Sequence, residues 1–299
     1  MLTLEQKYVI VNVQKQVNNT EGEKDMIRKI DGNVYVTEFT TITELVQFIK
    51  TNKPNKVLKK YSFKDDCEIF DSERKSEHFI KNTKTKDYAE AEDLLLHGWE
   101  HGVREIKNKV EAKETGMSLK QKSVYDVVGF QASVPRYLQG IPNNMVNKTN
   151  IKQKNKVITI NKCATYNWGT HPRVIIEESV KVLQLINRLE KQGYRVNLNV
   201  IFATSKRNIT VTKVRIKSSS QRLNIKQVAF PLCHPSMLRR IIFAVWERQE
   251  ENNYESFKKG YGYVVEYWNL KRYVNKGEYL IPAILDEKEI IEIDKYKIN

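Results

Sequence analysis

The segment HGWEH (97–101) contains the side chains whose types and spacing come nearest to a metal site. His97, Glu100 and His101 match the pattern H-x-x-E-H, in which two histidines bind zinc and the glutamate acts as a general base. That chemistry requires both histidines on one face of a helix. Because Gly98 follows His97 and glycine commonly ends a helix, the sequence predicts two helices joined by a turn, with exposed histidines and no metal site.

A second candidate is the loop NKCATYNWGTHPR (161–173), which follows a predicted strand at a position where α/β folds bind ligands. The loop contains no carboxylate, so it is a poor site for a divalent cation. Four of its side chains could contact a phosphate group: Asn161, Lys162, His171 and Arg173. Cys233 and His234 are adjacent, and neighbouring residues do not form a nucleophile–base pair without unusual backbone geometry. We therefore predict no catalytic residue, no metal and no cofactor.

Basic residues are concentrated in the middle of the chain. Of the 51 lysines and arginines, 20 lie between Val127 and Trp246, a stretch that holds only three of the 36 acidic residues. The rest of the chain holds 31 basic and 33 acidic residues. Such segregated charge is typical of a surface that binds a polyanion, although a solvated basic face that aids solubility is the alternative.

The candidate polyanion contacts fall mainly in residues 206–226. In the segment 209–217, Lys213, Arg215 and Lys217 alternate with apolar residues, so a strand would present three cations on one face, about 6.6 Å apart. An edge strand protected from aggregation by its charges is an equally good interpretation. The full set of candidate nucleic-acid or anion contacts is Lys206, Arg207, Lys213, Arg215, Lys217, Arg222, Lys226, Arg239, Arg240, Arg136 and Tyr137.

Arg239 and Arg240 lie in the first turns of a long helix that the sequence predicts to begin at His234 and Pro235. The helix dipole disfavours cations at this end. We expect at least one arginine at the edge of the buried face. The pair is predicted either to form an anion site with the free N–H groups of the helix or to pair with carboxylates of the N-terminal portion.

The segment SVPRYLQGIPNN (133–144) is predicted to form an ordered turn. Gly140 and Pro142 would fix the turn and place Arg136 and Tyr137, because glycine adopts a positive φ without strain. A purely structural corner fits the same residues equally well.

The segment KGYGYV (259–264) follows the start of an RNA-recognition strand pattern. The pattern requires an aromatic residue at its eighth position, where this chain has Glu266. The predicted long helix also ends only about ten residues before Lys258, which leaves no room for the preceding hairpin strand of that fold. A strand whose tyrosines pack or stack is the better interpretation.

The composition bounds the class of protein. The chain has 299 residues, of which 40% are hydrophobic and 29% charged, as in soluble globular proteins. The longest apolar run, Ile241 to Trp246, is far too short to span a membrane, and the N-terminus lacks the features of a secretory signal. Three widely spaced cysteines argue for reduced thiols. We therefore expect a cytoplasmic protein.

The predicted fold class is α/β, with an α+β N-terminal portion and a βαβ-containing core. VITI (157–160), an amphipathic helix (174–193) and an alternating strand (194–204) form one right-handed βαβ unit. Capping boxes at Thr41–Glu44 and Asp87–Glu90 each predict the start of a helix. The polar residues 82–86 read as a linker. They divide the chain into residues 1–82, the N-terminal portion, and residues 87–299, which contain a helical pair, an irregular loop and the basic core.

Three segments together resemble an uncharacterised family of bacteriophage and prophage proteins: HGWEHGVREI (97–106), DVVGFQASVPRYLQGIPNNM (126–145) and LCHPSMLRRIIFAVWE (232–247). The resemblance implies no established activity. The βαβ unit is also similar in outline to half of a von Willebrand A-type fold. Where that family has its metal-binding Asp-x-Ser-x-Ser loop, this chain has Asn161, Cys163 and Thr165, so cation-dependent adhesion is not implied.

These observations lead to three functional expectations. The first is a phage-encoded, non-enzymatic protein that binds nucleic acid largely through its phosphates or acts in a nucleoprotein assembly. The second is a structural or adaptor protein whose basic face binds an acidic protein partner, such as a virion component or an ATPase. The third is a hydrolase that uses His97, His101 or His171.

Overall fold

The computed structural model of the chain describes residues 27–31, 34–55, 70–111, 121–150, 156–205, 209–249, 264–265, 267–271 and 273–283. The strands are β1 (Ile27–Asp31), β2 (Val34–Phe39), β3 (Gln121–Asp126), β4 (Gln131–Ala132), β5 (Met145–Asn150), β6 (Val157–Cys163), β7 (Arg195–Ser205), β8 (Ile209–Lys217) and β9 (Tyr279–Ile281). They form a six-stranded mixed sheet in the order β1-β2-β8-β7-β6-β9 and a three-stranded antiparallel sheet in the order β3-β5-β4.

The helices are α1 (Ile42–Thr51), α2 (Glu77–Thr83), α3 (Tyr88–His97), α4 (Glu100–Glu111), α5 (Val134–Leu138), α6 (Pro172–Lys191), α7 (Ile225–Cys233), a π-helix (Met237–Ile242) that continues as α8 (Phe243–Trp246), and α9 (Tyr267–Lys271). A short 3₁₀ turn occupies Asp71–Glu73. The mixture of helices with parallel and antiparallel strands confirms the α/β class.

The βαβ unit is confirmed. β6 and β7 pair in parallel through the crossover helix α6, because α6 carries an apolar stripe that it buries against the sheet. Alternate residues of β7, including Val196, Leu198 and Phe202, face the same core as α6. On the other face of the sheet, β7 contributes Ile201 and Ala203 to a smaller cluster with α9 and β9.

The N-terminal residues belong to the same sheet and core as the rest. β2 pairs in parallel with β8, and Phe39 and Leu45 pack in the cluster that contains the helices of residues 172–246. Within the described part of the chain, residues of both predicted portions therefore share one sheet and one core. Thr83 and Thr85 of the expected linker are buried.

Local signals placed the helix boundaries correctly. The side chain of Thr41 accepts a hydrogen bond from the N–H of Glu44 (3.1 Å), and that of Asp87 accepts one from the N–H of Glu90 (2.9 Å). Gly98 has a φ of 99° and ends α3, as expected. No single helix of the described residues has the length and apolar character of a membrane span, although α7 and the helix Met237–Trp246, bent by 68°, meet that test together.

Candidate nucleic-acid interface

The three-stranded sheet with α5, residues 121–150, holds most of the exposed apolar side chains, and we call it the β3–β5 module. Eight of the eleven large hydrophobic side chains that are exposed among the described residues lie in this module. They are Val124, Tyr125, Val127, Val128, Phe130, Val134, Tyr137 and Leu138. Monomeric proteins rarely expose so many apolar groups together, and exposed apolar patches of this kind are typical of contact surfaces.

Two glycines give the irregular segment its shape. A Cβ atom on Gly129 would lie 2.4 Å from the carbonyl oxygen of Val146, so only glycine lets the chain approach β5 there. Gly140 has a φ of 69°, which confirms the predicted turn. This turn brings Asn143 back toward α5, where its carbonyl accepts a hydrogen bond from Nε of Arg136 (3.1 Å).

Arg136 is thereby held against an aromatic ring. Its guanidinium carbon lies 4.2 Å from the ring centroid of Tyr125, a cation–π contact that fixes both side chains. Tyr125 remains 45% exposed and Tyr137 66% exposed. The module carries only four charged residues by sequence, of which three are basic. Aromatic rings interleaved with cations are the composition of single-strand nucleic-acid surfaces.

The cations of β8 do not share one face. Leu198 of β7 pairs with Lys217, whereas Asn199 pairs with Arg215, so Ile216 is an extra residue in a β-bulge. Beyond the bulge Lys217 is buried, with Nζ 2.6 Å from Oε1 of Glu190. Lys213 is half-buried, 3.6 Å from Glu278, and Arg215 alone is exposed. β8 is also not an edge strand, since it pairs with both β2 and β7.

Arg239 and Arg240 are buried, which corrects the expectation that they contact a polyanion. Arg239 is 3% and Arg240 0% exposed. Arg239 donates to the backbone carbonyls of Asn82 (3.0 Å), Asn167 (3.2 Å) and Trp168 (3.0 Å). Among the described residues, neither arginine donates a hydrogen bond to a carboxylate: the hydrogen bonds of Arg240, like those of Arg239, go to neutral oxygens.

The remaining candidate contacts do not form one site with Arg239 and Arg240. Arg222 is exposed, and Lys226 lies 3.7 Å from Glu100. Lys206, Arg207 and the tyrosine-rich residues 258–263 lie outside the described residues. Immediately after them, Val264 forms a bridge to Thr204 and α9 begins at Tyr267, so the expected strand does not extend to Tyr267.

His97 and His101 lie in two different helices separated at Gly98, as the sequence analysis predicted. His97 ends α3 and His101 lies in α4, and both are exposed. No group of three potential metal ligands occurs in the part of the chain that the structure describes. His171 caps α6, with Nδ1 accepting a hydrogen bond from the N–H of Arg173 (3.2 Å). It therefore has a structural role at the start of that helix.

Of the predicted phosphate-binding loop, two side chains are buried instead. Lys162 and Asn161 are both 0% exposed. Nζ of Lys162 lies 2.6 Å from Oε1 of Glu178, and the amide of Asn161 donates to Glu278 (2.8 Å). The indole of Trp168 is 45% exposed and rests on Arg239, 4.7 Å from the guanidinium carbon.

His234 is a buried, uncharged histidine. Its ring stacks on Phe230 (4.7 Å between centroids) and meets the edge of Trp99 (4.8 Å), and burial lowers its pKa from 6.5 to about 3. In the unfolded chain the same side chain takes up a proton near pH 6.5, so the unfolded state gains protons that the folded state does not. The free energy of unfolding should therefore fall as the pH decreases below this value.

We expect this loss to reach about 2 kcal/mol by about pH 5, since each pH unit in the window contributes about 1.4 kcal/mol. Urea denaturation at a series of pH values measures it. His234→Asn, which keeps an acceptor for the N–H of Ser236, should remove this part of the pH dependence. An equal pH dependence in the variant would contradict this role for His234.

The sequence analysis singled out Arg136 and Tyr137 but not Tyr125 or Phe130, whose side chains are exposed in the same module. A signal was present, because the apolar residues of the segment 124–138 follow neither a strand nor a helix period and so have no buried face to occupy. The contact of Tyr125 with Arg136 joins residues eleven positions apart, which no local pattern predicts.

Comparison with known families places the chain in one of them. A family model described as a domain of unknown function (DUF7192) matches residues 13–295. The chain therefore belongs to this family, which agrees with the expectation of a family without an established activity. No curated protein and no solved structure matches it.

Proposed function

We propose that the protein binds single-stranded nucleic acid, largely independently of sequence, through the β3–β5 module. The contact between Arg136 and the exposed ring of Tyr125 carries this proposal. A fixed aromatic ring offers a stacking surface to any base, and an adjacent guanidinium reaches a phosphate. Tyr137 supplies a second exposed ring in the same module.

The charge distribution supports the same function. The acid-poor segment 127–246 includes the whole of α5, and the exposed Arg215 and Arg222 add to its field. Such a field concentrates a polyanion near the protein without selecting a sequence. With the resemblance to phage proteins, this supports a non-enzymatic role on nucleic acid in the cytoplasm of an infected cell.

Fluorescence anisotropy with single-stranded oligonucleotides longer than about 16 nucleotides tests the proposal. The wild type should bind single strands more tightly than a duplex of the same sequence, and binding should weaken with salt by about 0.7 in the logarithmic slope for each phosphate contacted. Tyr125→Ala should weaken binding by about 1–3 kcal/mol, or roughly five- to 150-fold, because it removes the stacking surface. Tyr125→Phe should retain most of the affinity.

Arg136→Gln should weaken binding and lower the salt slope by about one phosphate contact. Its matched control is Arg104→Gln, which removes the same charge from an exposed position on α4. The control reports the general effect of net charge and should change affinity much less. The proposal fails if the wild type binds no oligonucleotide at low salt, or if the two arginine variants behave alike.

A further inference from the structure

The outer edge of β3 is open in the described structure. β3 pairs with β5 along all six of its residues, while β4, on the other side of β5, contributes only two. No described strand pairs with the second edge of β3. A strand edge of this length presents a row of backbone donors and acceptors and is a template for pairing with another strand.

The side chains along this edge are suited to contact with protein. Val124 and Tyr125 are exposed on β3, and the turn that follows adds Val127 and Val128, which are 64% and 75% exposed. The three valines do not suit contact with nucleic acid, which binds through charged and aromatic side chains, whereas apolar side chains are enriched in the cores of protein interfaces. The edge is therefore suited to a protein partner, which is distinct from the nucleic acid that the Tyr125–Arg136 contact is proposed to bind.

The sequence of β3, QKSVYD, is self-complementary when two copies run antiparallel. If Val124 lies opposite Val124 of the second copy, Ser123 lies opposite Tyr125, and Lys122 lies opposite Asp126. The two-fold symmetry repeats each of these pairs, so two attractive charge pairs flank a central apolar pair. This complementarity of β3 to itself identifies a second copy of the chain as the partner.

We propose that the β3–β5 module is a dimerisation element in which the β3 edges of two copies pair antiparallel about Val124. The result is a continuous six-stranded sheet with an isologous interface. The two-fold axis of such a pair is perpendicular to the sheet, so both Tyr125–Arg136 contacts lie on the same side of it. The dimer does not depend on nucleic-acid binding, but it would double the surface that the proposed function uses.

Sedimentation of the full chain over a range of concentrations tests the dimer. The wild type should be dimeric. Lys122→Glu places two carboxylates opposite each other at both symmetric positions and should raise the dimer dissociation constant about tenfold. Asp126→Lys should act similarly, and the double variant Lys122→Glu/Asp126→Lys should restore association.

The rescue separates pairing from local damage. Oδ1 of Asp126 accepts a hydrogen bond from the N–H of Val127 (2.7 Å), and the double variant lacks this bond as well. Restored association can therefore come only from the restored charge pairs. A wild type that is monomeric at every concentration, or a double variant as weak as the single ones, would overturn the proposal.

A second pair of variants gives an independent check. Val124→Lys brings two lysines together on the symmetry axis and should prevent dimerisation. Its matched control is Val157→Lys on the first residue of β6, where the wild-type side chain is 56% exposed, and this variant should remain dimeric. Anisotropy on the same samples distinguishes the two proposals. A wild-type dimer that binds no oligonucleotide refutes only the proposed function, and a wild-type monomer that binds oligonucleotides refutes only the dimer.

Discussion

Replacing Arg240 by glutamine is expected to lower the free energy of unfolding by about 3–5 kcal/mol, enough to unfold many domains of ordinary stability. The guanidinium donates to Oγ1 and the carbonyl of Thr85 (2.7 and 2.8 Å) and to the carbonyls of Ser72 (3.0 Å) and Arg74 (3.2 Å). Glutamine can satisfy at most two of these acceptors. The others would lose this donor, at about 1–3 kcal/mol for each acceptor that is left unsatisfied.

The site also explains why a cation is tolerated there. Burial lowers the pKa of Arg240, while the nearby carboxylates of Asp87 and Glu90 act in the opposite direction, and the Phe79 ring lies 5.1 Å from the guanidinium carbon. Arg240→Lys keeps the charge but has a single nitrogen, which cannot reach four acceptors from one position. We therefore expect Arg240→Lys to lose nearly as much stability as Arg240→Gln.

Urea denaturation followed by circular dichroism measures both variants. Arg104→Gln on the exposed face of α4 is the control for the lost charge and should change the stability by less than about 0.5 kcal/mol. If Arg240→Gln instead matched this control while nucleic-acid binding disappeared, the original expectation of an anion site at this helix would be restored.

The hydrogen-bond partners of Arg240 could not be predicted from the sequence. The pattern around residues 232–247 correctly predicted a buried helix. For Arg239 and Arg240 it predicted either an anion site or carboxylate partners, and not the neutral oxygens to which they donate. The acceptors of Arg240 lie on residues 72–85, more than 150 positions away. The polar segment 82–86, which looked like a linker, folds back to supply several of them. Only the tertiary fold brings the segment 82–86 and the arginines of the helix into contact.

Regular elements were predictable because their signals lie in the local sequence. The strand β6, the helix α6 and the strand β7 each carry an apolar period that matches their own geometry, and capping residues mark helix ends within a few positions. In β8 the alternation was read correctly as far as Arg215. The bulge at Ile216 then reversed the direction of Lys217, and a bulge depends on the partner strand, which the local sequence does not specify.

The ion pair of Lys162 and Glu178 gives the second large expected effect. Both side chains are 0% exposed. Nζ of Lys162 also donates to the carbonyl of Pro282 (2.7 Å), and the hydroxyl of Tyr166 donates to Oε2 of Glu178 (3.3 Å). This pair joins β6 to α6 and to the residue that follows β9. Lys162→Met should cost about 3–5 kcal/mol, because it leaves a buried carboxylate without its cation.

The loss of stability in Lys162→Met should depend on pH in a defined direction. Burial already raises the pKa of Glu178 above 4.5, against the opposing effect of Lys162. Removing the lysine raises it further. The folded variant would then hold a proton that the unfolded chain releases, so its stability should fall as the pH rises above about 4.5. Denaturation of Lys162→Met at several pH values should show the deficit shrinking toward that pH.

A double-mutant cycle decides whether the pair stabilises the fold or only avoids an unpaired charge. Lys162→Met/Glu178→Leu removes both charges and keeps apolar volume, and apolar replacements of buried ion pairs are often neutral. The carbonyl of Pro282 and the hydroxyl of Tyr166 would lose partners, so we expect the double variant to be somewhat less stable than the wild type but more stable than either single variant. The coupling energy should exceed about 2 kcal/mol. Additive losses would show instead that the two side chains contribute independently, through packing, and that their contact across β6 and α6 is not what holds this end of the sheet.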